Sequence, residues 1–247
     1  MKKSNLILLI ALGIIIIISI TGIFVLKSNL FATITYGEGN IVQSERDIPS
    51  FEKIKINGRY NVYFTQDSPR ELIISAEENL HEFIRTDVRN NELYISSSQP
   101  IRSNSEIRIE LSNDFLTHVE VSASGKFFST RAIALPLLHL TANAGSTMDV
   151  EGIFESLFAL QNAGATLKLR GETDKLNLES NAGGSLDASQ MKATNATAKA
   201  NAGASIIVNA AELDAEANAG GSVRYLGDPV FKSMRTSAGG NISQQSR

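Results

Sequence analysis

The pentapeptide NAGGS at residues 181–185 returns unchanged at 218–222. NAGST (143–147), NAGAT (162–166), NAGAS (201–205) and SAGGN (237–241) are close variants of it. Their first residues, Asn143, Asn162, Asn181, Asn201, Asn218 and Ser237, are spaced by 19, 19, 20, 17 and 19. Five places after each stands an apolar residue: Met148, Leu167, Leu186, Ile206, Val223 and Ile242. Seven places after come Val150, Leu169, Ala188, Val208 and Tyr225, with Gln244 breaking the rule. Five places before come Leu138, Leu157, Leu176, Ala196 and Leu213; three before come Leu140, Ala159, Leu178, Ala198 and Ala215. Each unit therefore reads as strand, turn, strand, with inward residues spaced by two on both sides of NAG.

A fixed period of this size marks a solenoid. Helical repeats need about 33 or more residues per unit, and the Leu/Asn scaffold of leucine-rich repeats is missing. Two period-two segments per unit suit one coil of a parallel β-helix, each coil stacked about 4.8 Å on the next. One coil cannot bury its apolar face, but several in register can. NAG is then the corner. Gly145, Gly164, Gly183, Gly203, Gly220 and Gly239 are expected at positive φ, and the Asn side chains are expected to form a hydrogen-bonded ladder. Ala is expected to fit a crowded turn. Thr147, Thr166, Ser185, Ser205 and Ser222 form a second, hydroxyl column, and Asp149, Lys168, Asp187, Ile207 and Arg224 a solvated column with cross-coil ion pairing.

Residues 48–135 are strand-rich with short connections. FEKIKI (51–56) and YNVYFTQ (60–66) flank Asn57-Gly58, a strand-turn-strand pattern. ELIISA (71–76), ELYISS (92–97), SEIRIELS (105–112) and HVEVSAS (118–124) continue the alternation. Asn90-Asn91 reads as a tight turn, and EENLHEF (77–83) as a helical turn or two. This segment is placed to cap one end of the stack. Gly227-Asp228-Pro229 and the tail after it are placed to close the other; an edge left open there would favour a homo-oligomer.

Before the head lies LILLIALGIIIIISITGIFVL (6–26), preceded by Lys2 and Lys3 and followed by Lys27. At about 1.5 Å per residue this uncharged run is about 31 Å long, enough for a bilayer core. It exceeds the apolar core of a cleaved signal peptide, and no clear A-x-A site follows it. The reading is a signal anchor over residues 1–27, with the chain from about residue 31 onward outside the cytoplasm; secretion after cleavage is the alternative. Residues 28–47 read as a linker, 48–135 as the N-terminal part of the head and 136–247 as the NAG-repeat β-helix.

The net charge of -3 and the lack of a basic cluster argue against a nucleic-acid partner. The absence of Cys excludes disulfides, thiolate metal sites and a thiol nucleophile. His81, His118 and His139 have no metal-like spacing and read as surface or satisfied residues. No phosphate-binding loop or nucleophile elbow is present. No catalytic, cofactor-binding or metal-binding residue is expected, and no cofactor.

FEKIKINGRYNVYFTQ (51–66), ELIISAEENLHEFIRTDVRNNELYIS (71–96), the serial NAG units and YLGDP…SAGGNIS (225–243) resemble the putative auto-transporter adhesin, head GIN domain family, a bacterial domain of unknown function, across about residues 48–243. The resemblance implies an all-β, β-helical protein of the cell envelope and brings no catalytic signature. Many members are lipoproteins or carry cleaved signals; a long anchor without Cys departs from that pattern.

The fold expected is all-β: a parallel β-helix of about 19-residue coils with a strand-rich N-terminal part, preceded by one transmembrane helix. The function expected is that of a non-enzymatic, membrane-tethered extracytoplasmic adhesin or envelope structural protein. Its partners would be the membrane, through the N-terminal helix, and a glycan or surface protein. A carbohydrate-active enzyme of the lyase or hydrolase kind and a sensory or scaffold ectodomain are the alternatives on the same fold.

Overall fold

The computed structural model describes residues 34–245. The membrane helix expected over residues 1–27 lies outside these; among the described residues no helix is long and apolar enough to cross a membrane. The chain runs through β1 (Thr35–Tyr36), β2 (Ile41–Glu45), β3 (Lys53–Asn57), β4 (Asn61–Gln66) and β5 (Glu71–Glu77). A single 3-10 turn, Glu78–Leu80, stands where the helical interruption was expected. Then come β6 (Ile84–Arg89), β7 (Glu92–Ser97), β8 (Ile101–Arg102), β9 (Arg108–Asn113), β10 (His118–Ser122) and β11 (Lys126–Ser129). The repeat supplies β12 (Ile133–Ala142), β13 (Thr147–Gln161), β14 (Thr166–Asn181), β15 (Ser185–Asn201), β16 (Ser205–Asn218), β17 (Ser222–Leu226), β18 (Val230–Ser237) and β19 (Asn241–Gln244).

From β10 onward every pairing is parallel, and the partner lies one coil away. This is the expected β-solenoid. Its corner is a turn with two successive left-handed residues. Ala144, Ala163, Ala182, Ala202, Ala219 and Ala238 have φ between +45° and +57°, and the glycines after them between +68° and +79°. Positive φ at both central residues is type I′ geometry. The turn is closed by bonds such as Ala165 N–H to the Asn162 carbonyl (3.2 Å) and Gly221 N–H to the Asn218 carbonyl (2.9 Å). Turns are also bonded to one another: Gly164 N–H donates to the Ala182 carbonyl, Gly183 to Ala202 and Gly203 to Ala219. The corner glycines thus stand in one line. Between them runs the Asn ladder. Asn162, Asn181, Asn201 and Asn218 each donate Nδ2–H to the Oδ1 of the preceding Asn at 2.9–3.2 Å, and Ser237 ends the series on Asn218.

The corner alanines are exposed, so crowding does not select them. Two places on, the copies differ: Ser146, Ala165 and Ala204 carry a buried Cβ there, whereas a Cβ on Gly221 would lie 2.2 Å from the Ala200 carbonyl oxygen. Ala is simply the smallest L-residue able to hold the left-handed conformation, at a cost of about 1–2 kcal/mol.

Residues 48–135 extend the same stack, but not in chain order. Asn57-Gly58 is not a hairpin turn. β3 and β4 do not pair with each other; β3 lies between β7 and β10, and β4 between β9 and β11, all parallel. Asn57–Tyr60 is another solenoid corner, and Ser122–Gly125, with Ala123 at φ 54° and Ser124 at φ 61°, is a further one. Glu92, Lys53, His118, His139, Phe158, Asn177, Thr197, Asp214 and Ser233 mark nine rungs in register along one face. Beyond β7 and β9 the pairing turns antiparallel. β6 covers β7 through the Asn90-Asn91 turn, and β5 covers β9.

The part of the expected linker from residue 34 on is docked on this capped end. β1 pairs with β8 and β2 with β5. The latch is Glu77, 4% exposed. Burial by itself would raise its pKa. Hydrogen bonds from the Ser103 hydroxyl (2.7 Å) and the Asn104 N–H (3.0 Å) outweigh that and hold the carboxylate below its usual range. Gly37 fits against it because a Cβ there would come within 2.5 Å of the carboxyl group.

Inside, the columns expected at five and seven places after the corner are fully buried from Met148 and Val150 through Ile206 and Val208. The tail after Pro229 does not cap the stack. It adds one more rung, β18 and β19, on β16 and β17.

Three substitutions separate backbone strain from contact. Gly164→Ala meets nothing within 4 Å at φ +71° and should cost about 1–2 kcal/mol. Gly221→Ala should cost more, because its Cβ meets backbone. Ala163→Gly should be neutral, or stabilising by up to about 1 kcal/mol, relief of strain exceeding the added chain entropy. Denaturant unfolding of the three variants measures the order; equal losses would contradict the corner geometry.

Candidate binding face

The outward residues four places before each corner form a column on one flat face of the solenoid. His118, His139 and Phe158 come first, then Asn177 and Thr197. In-register pairing forces their side chains together. The His118 and His139 rings lie 6.0 Å apart, and His139 and Phe158 lie 4.5 Å apart and nearly parallel at 9°. Phe158 ends this run of rings and keeps 37% of its surface exposed. Beside it the face opens into a notch of about 370 Å³, lined by His139, Thr141, Phe158, Asn177, Glu179 and Lys199 among others. This is an apolar ring fenced by hydroxyl, amide, carboxylate and ammonium groups, in a volume near the lower end for small-ligand pockets. It can take a ligand that offers C–H groups to the ring and hydroxyls to the fence.

Half-burial pushes the pKa of His118 below 6.5, the neighbouring His139 adding to the effect; Glu120 and Glu92 oppose it. Lys55 bonds Glu120 at 3.0 Å, and this contact raises the lysine's pKa.

The second face carries a shorter ring stack, Tyr63 on Phe128 at 5.2 Å, with the Arg108 guanidinium 3.7 Å over the Tyr63 ring. Its column continues through Asp149, Lys168, Asp187, Ile207 and Arg224, in register as expected. The ion pairing differs from expectation. Asp149 pairs with Arg170 at 2.7 Å, not with Lys168, and Arg170 also reaches Glu151 at 3.5 Å. At the bend between the faces, a groove of about 630 Å³ crosses several coils, with Ile153 62% exposed and Glu155, Glu172, Asp174 and Lys192 along it.

Of the three histidines, His81 is tied by Nε2 to the Val42 and Ala76 carbonyls at 3.1 and 3.2 Å. The other two meet on the candidate binding face, which spacing along the chain did not reveal. The sequence holds the clue in the offset. His118 precedes Ser122 by the same four places that separate His139 from Asn143 and Phe158 from Asn162.

Residues 50–229 match the family described as putative auto-transporter adhesin, head GIN domain. The chain belongs to this family. Solved structures similar to this head GIN domain include a putative adhesin from Bacteroides fragilis, 22% identical with a TM-score of 0.73, covering 85% of this chain and 99% of that one. A putative adhesin from Parabacteroides merdae is 18% identical with a TM-score of 0.68, covering 86% and 99%. A protein from Parabacteroides distasonis called a putative lipid binding protein is 18% identical with a TM-score of 0.67, covering 87% and 100%. At these identities the likeness is one of fold. No curated protein matches the chain.

The lowered pKa of His118 sets a sign for pH dependence. The folded state holds this proton less tightly than the unfolded chain, so stability is lost as pH falls from about 6.5 through the folded value. The melting temperature should therefore begin to drop near pH 6.5 in the wild type. In His118→Phe, which keeps a ring in the stack, the drop near pH 6.5 should be smaller than in the wild type. Thermal melts across pH 4 to 8 decide this, and superimposable profiles would remove His118 from the account.

Proposed function

We propose that this head GIN domain is a non-enzymatic adhesion module of the cell envelope, held at the cytoplasmic membrane by residues 6–26, that binds glycan chains along the face bearing His139 and Phe158. The observation that carries the reading is the notch beside Phe158. A half-exposed ring at the end of a stack is set among Thr141, Asn177, Glu179, Thr197 and Lys199. A pyranose presents the matching pair of surfaces, a C–H face for the ring and equatorial hydroxyls for the polar fence. The solenoid repeats its outward positions at about 4.8 Å per coil, so an extended chain laid along the axis meets successive rungs.

The lining of this notch suits binding better than turnover. Glycoside hydrolysis by paired carboxylates needs two acids about 5–10 Å apart across the scissile bond, and the notch is lined by one, Glu179. The family membership supports an extracellular or envelope location, and the apolar run at the N-terminus supports tethering.

The test is a glycan array probed with the full-length chain in mild detergent, run beside Phe158→Ala and Lys199→Ala. Binding to a defined set of glycans should be lost with the first variant and reduced with the second, with melting temperatures unchanged. Release of product from a bound glycan would overturn the non-enzymatic reading. Binding indifferent to both substitutions, or no binding at all, would overturn the site.

A further inference from the structure

The two ends of the solenoid differ. At one the pairing turns antiparallel, β5 and β6 covering the interior and the stack ending on β2 and β6. At the other, β18 pairs on one side only, with β16, and β19 only with β17, among the described residues. The interior reaches this end uncovered. Met234 continues the column of Ala198 and Ala215; those two are fully buried, whereas Met234 is 50% exposed. Ile242 continues the column of Ile206 and Val223. Tyr225 and Phe231 meet edge to face at 5.0 Å beside them, and Val230 is 66% exposed. The turn-to-turn bonding also stops here. Gly220 donates to Ala238, but Gly239 has no further corner to donate to among the described residues.

The usual guards of a strand edge are weak at this tip. Lys232 is drawn back to Glu212 at 2.5 Å and to Asn195 at 2.8 Å, and Arg235 to Asp214 and Glu216 at 3.5 and 3.8 Å, all on earlier coils. The one irregularity in the β16–β18 register falls between Leu213 and Asp214, opposite Lys232, and leaves residues 233–237 regular.

We propose that two copies of this chain join tip to tip through this last rung. A lone strand from another protein would cover β18 or β19 and leave Met234 and Ile242 wet. A second copy brings both strands and the same apolar residues on the same footprint. A two-fold axis through the tip runs β18 antiparallel to its counterpart, so each edge satisfies the other and the contact is self-complementary. Because the contact is isologous it uses the tip of both copies, and the assembly closes at two.

The chain has no cysteine, which makes a clean test possible. Single cysteines are introduced at Ser233, Met234 and Arg235 of the full-length chain in mild detergent, with Lys175→Cys, exposed and mid-stack, as the reference. Mild oxidation should give disulfide-linked dimers from the tip positions, strongest nearest the two-fold axis, and monomer from Lys175→Cys. Adding Met234→Lys to the Ser233 or Arg235 reporter should abolish the dimer band while the melting temperature is kept. Val230→Lys serves as a second disrupting variant at a more exposed site. Crosslinking no stronger at the tip than at residue 175, or a dimer band indifferent to both lysines, overturns the proposal.

Discussion

Every coil must present its backbone to two neighbours at once, and that demand falls hardest on the corner. A strand can bend gradually; a corner must reverse while keeping N–H and C=O groups aligned with the corners above and below. Two successive left-handed residues achieve this, because the Gly amide of one turn then points at the Ala carbonyl of the next. The strain of a left-handed alanine is accepted at each corner for the sake of that bond. The Asn ladder adds a side-chain bond at the same level, so a buried-edge problem common to all parallel stacks is met twice at one point.

With the corner fixed, the rest of the coil is free to vary, and the variation is confined. Successive corners are 19, 19, 20, 17 and 19 residues apart, yet the ladder is unbroken. The differences are absorbed far from the corner. The register between β14 and β15 slips between Lys168 and Arg170, and that between β15 and β16 slips between Ala188 and Lys192. Ala188, Ala193 and Ala196 line the interior there, and such short side chains let the backbone move inward where residues are lost. Function, if it is to be tuned, has room at the bend and on the outward columns without disturbing the stack.

Those features also explain what could be read from the sequence. Six corners were legible because Asn, Ala and Gly recur together. The corner at Ser122–Gly125 was not, because Ser replaces Asn at its head and Ser124 takes the left-handed place held elsewhere by Gly. The rungs built by β3 and β4 were hidden for a different reason. Their strand-turn-strand pattern is the same as a hairpin's, and only partners far along the chain show that it is a corner. The candidate binding face was invisible for the same cause. His118, His139 and Phe158 meet only through register, and register at His118 depends on the unrecognised corner four places on.

The order of the rungs has a cost that can be weighed. Neighbouring repeat coils join residues about 19 apart, as in the Asn143–Asn162 bond. The junction of β3 with β10 joins residues 65 apart, as in the Lys55–Glu120 pair. Loop-closure entropy grows only with the logarithm of length, so the longer closure costs about 1 kcal/mol more. That is small beside the burial of Ile54, Ile56, Val119 and Val121, all fully enclosed at this junction, at about 1.5–3 kcal/mol for each large aliphatic side chain. Interleaving therefore secures the cap at little thermodynamic expense. Its penalty is kinetic, since non-local pairing must precede its reward.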